Sequence, residues 1–180
     1  MSTNTSLKTM NQRIAVLGVG AIGSSIGADI THAGYDVTLI DQWPAHVRAM
    51  KSNGLQVQFK DSQFQVPVKA LHICDLSSAK LQFDIIFLAA KSNDTRWMSE
   101  LIQPYLAPKG LLVATQNGMN DDTIASILGR DKVIGCVIGC KPNSSPQAIS
   151  NATPRARERG LALASSTANF PLESMQLPLS

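Results

Sequence analysis

Short apolar runs alternate with amphipathic stretches along the first 140 residues of this 180-residue chain. Arg13 to Leu17 is a compact apolar run that predicts a buried strand. Ser24 to Ala33 reads as a helix stopped by Gly34, and Tyr35 to Ile40 as a second strand. Pro44 can start a helix that runs to Ser52 and puts Val47 and Met50 on one face, ending at Asn53-Gly54. Leu55 to Phe59 and Phe64 to Lys69 alternate apolar and polar residues on either side of the polar turn Lys60 to Gln63. That pattern predicts an antiparallel hairpin. Asp84 to Ala90 is continuously apolar, as a parallel strand covered on both faces should be. Asp94 to Tyr105 reads as a helix stopped by Pro108 and Gly110. Leu111 to Thr115 follows as a strand, Asp121 to Leu128 as a helix with acids in its first turn, and Val133 to Ile138 as a last strand.

Strands and helices in this order predict an α/β fold: a Rossmann-type, doubly wound, mostly parallel sheet with an inserted β-hairpin. Residues 13–140 are expected to form one dinucleotide-binding domain. Residues 1–12 are polar and expected to be disordered. Beyond 140 the periodicity fades. Residues 141–180 hold five of the nine prolines and seven serines, and read as an irregular tail with at most a short helix at Ala156 to Ala164.

The turn after the first strand is Gly18-Val19-Gly20-Ala21-Ile22-Gly23, the spacing of a dinucleotide fingerprint between a strand and a helix. Gly18 allows the tight turn, Gly20 lets a pyrophosphate approach the backbone, and Gly23 lets the helix sit close to the strand. The helix start offers N–H groups to phosphate. Asp41 lies 23 residues after Gly18, at the end of the second predicted strand, where an acid meets the ribose hydroxyls of NAD. A carboxylate there repels a 2′-phosphate, and Gln42 and Trp43 follow it in place of an arginine. NAD(H) is therefore favoured, with NADP(H) still possible. The alternative is an ordinary strand end carrying a solvated Asp. Strand carboxyl ends form the crevice of such sheets, so the loops after Ala90 and after Thr115 belong to the same site.

Charge and cysteines narrow the function little further. Net charge is +3, of which residues 141–180 carry +2 from Lys141, Arg155, Arg157 and Arg159 against Glu158 and Glu173. A nearly neutral domain with a basic tail is not the footprint of a nucleic-acid binder. Cys74, Cys136 and Cys140 lack metal-ligand spacing, and His32, His46 and His72 are expected on the surface or on helix faces. With no apolar leader and no membrane-spanning run, a cytoplasmic protein is expected.

Residues 12–138 resemble the ketopantoate reductase (2-dehydropantoate 2-reductase) family. The resemblance rests on Ile14 to Gly23, His46-Val47-Arg48-Ala49-Met50 with Asn53-Gly54-Leu55, Ala89-Ala90-Lys91-Ser92 and Thr115-Gln116-Asn117-Gly118. It implies reduction of a 2-oxo acid to a 2-hydroxy acid with a nicotinamide cofactor. It also implies that Lys91 serves the cofactor and substrate end of the crevice, and that Asn117 lies beside nicotinamide and substrate. The family has a second, helical domain that supplies a proton-donating lysine and a substrate-holding glutamate. Only 42 residues follow Ile138, and none matches either group. The codons permitted for Ala152 to Phe170, regrouped from their third bases, allow a string similar to one the family carries just there. A frameshifted or truncated member, inactive alone and prone to self-association through an uncovered crevice, is therefore expected. A non-catalytic nucleotide-binding module with a partner-binding tail stays open beside it.

Overall fold

The computed structural model describes residues 12–58, 63–116, 120–136 and 147–148. Six strands form the main sheet: β1 (Arg13–Leu17), β2 (Asp36–Asp41), β5 (Lys69–His72), β6 (Phe83–Leu88), β7 (Leu106–Ala114) and β8 (Val133–Gly135). Their spatial order is β5-β2-β1-β6-β7-β8, and every pairing is parallel. Counted within the sheet this is 3-2-1-4-5-6, the Rossmann order, with its switch point between β1 and β6. The expected fold class is the observed one.

Neighbouring residues of each strand go to opposite faces, so both faces must be covered. On one face Ile14, Val16, Leu39, Ile85 and Phe87 pack with Ile26 and Ile30 of α1 (Ala21–His32) and Val47 and Met50 of α2 (Pro44–Asn53). On the other, Leu17, Ile40, Ile86, Leu88 and Leu112 pack with three helices. These are α3 (Leu76–Ala79), α4 (Thr95–Ile102) and α5 (Asp121–Leu128), which contribute Leu76, Met98, Ile102 and Ile124. None of the helices is long and apolar enough to cross a membrane, among the residues described.

Three expectations need correction. The run Phe64 to Lys69 is not one strand. β4 (Gln63–Val66) pairs antiparallel with β3 (Leu55–Gln58), and after Pro67 the chain enters β5, which pairs with β2 in the main sheet. Proline has no N–H to give a ladder, and the pairing of β4 with β3 ends at Val66, one residue before it. The chain is also already extended at Leu106, where Pro108 and Gly110 were expected to separate helix from strand. Phe83 pairs Leu106 while Ile85 pairs Leu111, so the ladder is irregular between them and Pro108 falls where no residue of β6 is paired with it. Finally, Gln147 and Ala148 of the segment read as an irregular tail form β9, antiparallel to β3. Phe59, Ile138, the rest of 137–180 and residues 1–11 lie outside the described residues.

Candidate functional site

The loop from β1 into α1 is shaped by its glycines. Gly18 has φ +90°, and a Cβ on it would stand 2.9 Å from the Ala90 nitrogen. A Cβ on Gly23 would collide with the Gly18 carbonyl. The fold itself thus requires both. Gly20 differs. It is exposed, has an extended backbone (φ −74°, ψ −163°), and a Cβ on it would meet nothing within 4 Å. Gly20 caps α1 with no side-chain hydrogen bond, and the first helical turn carries no acid. Val19 is buried, while Ala21 and Ile22 are half-buried at the helix start.

Asp41 closes β2 and is only 5% exposed. The alternative reading of a solvated strand-end acid is therefore wrong. Its Oδ2 accepts from the Val19 N–H at 2.8 Å and its Oδ1 from the Trp43 N–H at 2.9 Å. The carboxylate ties the glycine loop to the β2–α2 turn. An ionised carboxylate has about four acceptor positions, so about two remain for a ligand. Gln42, next in the chain, is half-buried, and its carbonyl accepts from His72 Nε2 at 2.9 Å. His72 Nδ1 accepts from the Cys74 N–H, which leaves the ring proton on Nε2. His72 ends β5 directly across from Asp41, so it belongs to the site rather than to a bare surface.

His46 is on a helix, as expected, but on a buried face. It lies in the first turn of α2, 8% exposed, and its Nε2 has no hydrogen-bond partner among the described residues. Burial lowers its pKa from the usual 6.5, and the nearby Asp41 carboxylate opposes that without overcoming it. The unfolded chain then binds the proton at a higher pH than the folded one. His46 therefore costs stability as pH falls through 6.5 toward its folded pKa and costs nothing well above 6.5. The melting temperature should fall over that window, and His46→Gln should flatten the slope. An unchanged slope in the variant would assign the titration elsewhere.

At the other end of the crevice, Ala90 and Lys91 follow β6. Ala90 is half-buried against Gly18, and Lys91 is exposed. The side chain that orders this loop is Gln116. Its Nε2 lies 3.0 Å from the Ala90 carbonyl, 3.3 Å from the Lys91 carbonyl and 2.8 Å from Thr95 Oγ1. Asn120 Nδ2 adds a bond to Ser92 Oγ at 3.2 Å. The loops after β6 and β7 are thereby stitched together beside the glycine loop. Gln116 was legible only as part of the Gln-Asn-Gly motif, with no role attached. Asn117 lies outside the described residues.

Residues 14–156 match the family model for ketopantoate reductase PanE/ApbA. The chain belongs to the ketopantoate reductase family. That match runs past the boundary at 140 expected from composition. A 2-dehydropantoate 2-reductase of Lactococcus lactis is 30% identical over 122 residues, 67% of this chain and 39% of that protein. The solved PanE/ApbA family ketopantoate reductase from Ralstonia eutropha JMP134 is 32% identical. Its TM-score is 0.64 over 72% of this chain and 42% of its own. D-Mandelate dehydrogenase, solved with NADH and anilino(oxo)acetate, has a TM-score of 0.65 at 26% identity, over 69% of this chain and 40% of its own. The chain thus spans about two fifths of the length of these proteins.

Proposed function

We propose that this domain binds a nicotinamide dinucleotide, NAD(H) in preference to NADP(H), in the service of reducing a small 2-oxo acid to a 2-hydroxy acid. The observation that carries the reading is the open space at Gly20. Gly18 and Gly23 answer to contacts within the protein, but among the described residues nothing crowds a Cβ at position 20, so contact gives no reason for that glycine. A pyrophosphate lying on the start of α1 supplies the missing reason, because a Cβ there would stand in its way. Asp41 fixes the loop and keeps acceptor capacity for the ribose hydroxyls, and its charge disfavours a 2′-phosphate. A relative at the same fold and 26% identity was solved with NADH, which supports a nicotinamide cofactor.

When bound, the cofactor supplies the hydride. The chain's own residues divide the remaining work. The glycine loop, Asp41 and Gln42 hold the adenosine and pyrophosphate end. Ala90, Lys91 and Asn117 serve the nicotinamide end, with Lys91 as an exposed point charge suited to a substrate carboxylate. Proton donation and substrate clamping are assigned to no described residue. We read the 180-residue chain as binding cofactor and turning over little by itself.

Calorimetric titration of the purified chain tests both statements. NADH should bind in the micromolar to millimolar range and more tightly than NADPH. Mixing with ketopantoate should give no oxidation of either nucleotide above background. If neither nucleotide binds folded protein, the cofactor reading fails. Turnover on the order of 1–10³ s⁻¹ would overturn the second statement and require a proton donor within this chain.

A further inference from the structure

We propose that Trp43 is the adenine platform of this domain, its indole stacking on the base of the bound dinucleotide. The inference rests on the cofactor reading and adds a residue and a contact to it. Trp43 is 64% exposed and is the exposed large apolar side chain among the described residues. A single exposed apolar residue is unremarkable in itself. Its placement is what distinguishes this one. Its N–H donates to Oδ1 of Asp41, the acid assigned to the adenosine ribose, and its carbonyl accepts from the Val47 N–H at 3.0 Å as α2 begins. The preceding carbonyl, that of Gln42, is held by His72. Three bonds from β2, β5 and α2 thus fix the backbone that carries an exposed indole.

That rigidity has a chemical use. Adenine is one glycosidic bond from the ribose, so a ribose on Asp41 places the base beside the strand end, over the turn that Trp43 occupies. An aromatic face there recognises the base without needing its hydrogen-bonding edge, and a clamped backbone limits the ordering cost of binding. The other tryptophan, Trp97, is half-buried and donates to Asp94 at 2.8 Å, so it is committed within the domain.

The test uses ADP-ribose, which carries the adenine and pyrophosphate but no nicotinamide. Its affinity would be measured for the wild-type chain and for Trp43→Ala, Trp43→Leu and Trp43→Phe, each first shown to melt as the wild type does. Base stacking on an aromatic side chain predicts a loss of about 5- to 150-fold for Ala and Leu, with Phe within a few-fold of wild type. In a Trp97→Phe background, ADP-ribose should also quench the remaining indole fluorescence. Equal affinity in all four proteins would overturn the platform and leave the cofactor reading standing. An equal loss in Phe and Ala would overturn stacking as the cause. Absence of ADP-ribose binding by the wild type would overturn the cofactor reading itself, and this inference with it.

Discussion

Replacing Asp41 by Asn should destabilise this domain nearly as much as replacing it by Ala, although Asn is almost the same shape. Both carboxylate oxygens of Asp41 accept backbone N–H groups, one from Val19 and one from Trp43. An amide offers one oxygen and one NH2 group, so whichever way it turns, a donor faces a donor. Ala removes both acceptors and leaves the Val19 N–H, in a buried stretch of loop, without a partner. Hydrogen bonds to a charged group contribute about 1.5–3 kcal/mol each, and a stranded buried donor costs a further ~1–3 kcal/mol. A loss of roughly 3 kcal/mol is therefore expected for either variant, against a typical total stability of about 5–15 kcal/mol. Denaturant midpoints of the three proteins check this. If Asn lies within ~0.5 kcal/mol of wild type, as an ordinary surface substitution would, the double tie is not what holds the loop. In the folded fraction, Asp41→Ala should also narrow the preference for NADH over NADPH, since the charge that repels a 2′-phosphate is gone.

Asp41 also shows how far sequence pattern reaches. Its distance from Gly18 and its place at a strand end mark it as an acid of the crevice. Its bond to Val19 joins residues 22 apart and depends on two strands lying side by side, which no local pattern encodes. His46 and His72 are the same case. Each looks like a stray histidine in the chain, yet one is buried in the first turn of α2 and the other faces the end of β2. A nearer signal existed for Gln116, because it adjoins Asn117 in the family motif. Its three contacts reach back to a loop some twenty-five residues earlier, however, and only the β6–β7 pairing brings that loop into range.

The fold was more legible than the site because its signals are local. Continuous apolar runs in β1 and β6 reflect burial on both faces, and the order of elements sufficed for the doubly wound class. The errors arose where local signals conflict with the sheet. Pro67 is a breaker that ends β4, and an alternating pattern running through it concealed β5. Pro108 looks like a breaker as well, but it falls in an irregular stretch of the β6–β7 ladder that β7 passes through. Which of two prolines interrupts a strand depends on whether its neighbour demands an N–H at that register. Only the pairing decides that.

Gly20 and Gly23, three residues apart at the start of α1, should separate folding from binding. Gly23→Val should abolish stable folding, or cost more than ~3 kcal/mol. Its side chain would press on the Gly18 carbonyl, and the obstacle is backbone rather than a side chain that can swing away. Relief requires α1 to move off β1, which opens the packing of Ile26 and Ile30 against the sheet. Gly20→Val should behave in the opposite way. Its Cβ enters open space, so the loss of stability should be limited to the poorer N-cap that Val makes, about 1 kcal/mol. The cost should appear in binding instead, where a side chain occupies the approach of the pyrophosphate. NADH affinity should fall at least about tenfold, which corresponds to ~1.4 kcal/mol. Melting curves and NADH titrations of the two variants together make the comparison. A Gly20→Val protein that folds and binds NADH as the wild type does would remove the observation on which the cofactor assignment rests, because the open space at position 20 would then not be where the pyrophosphate lies.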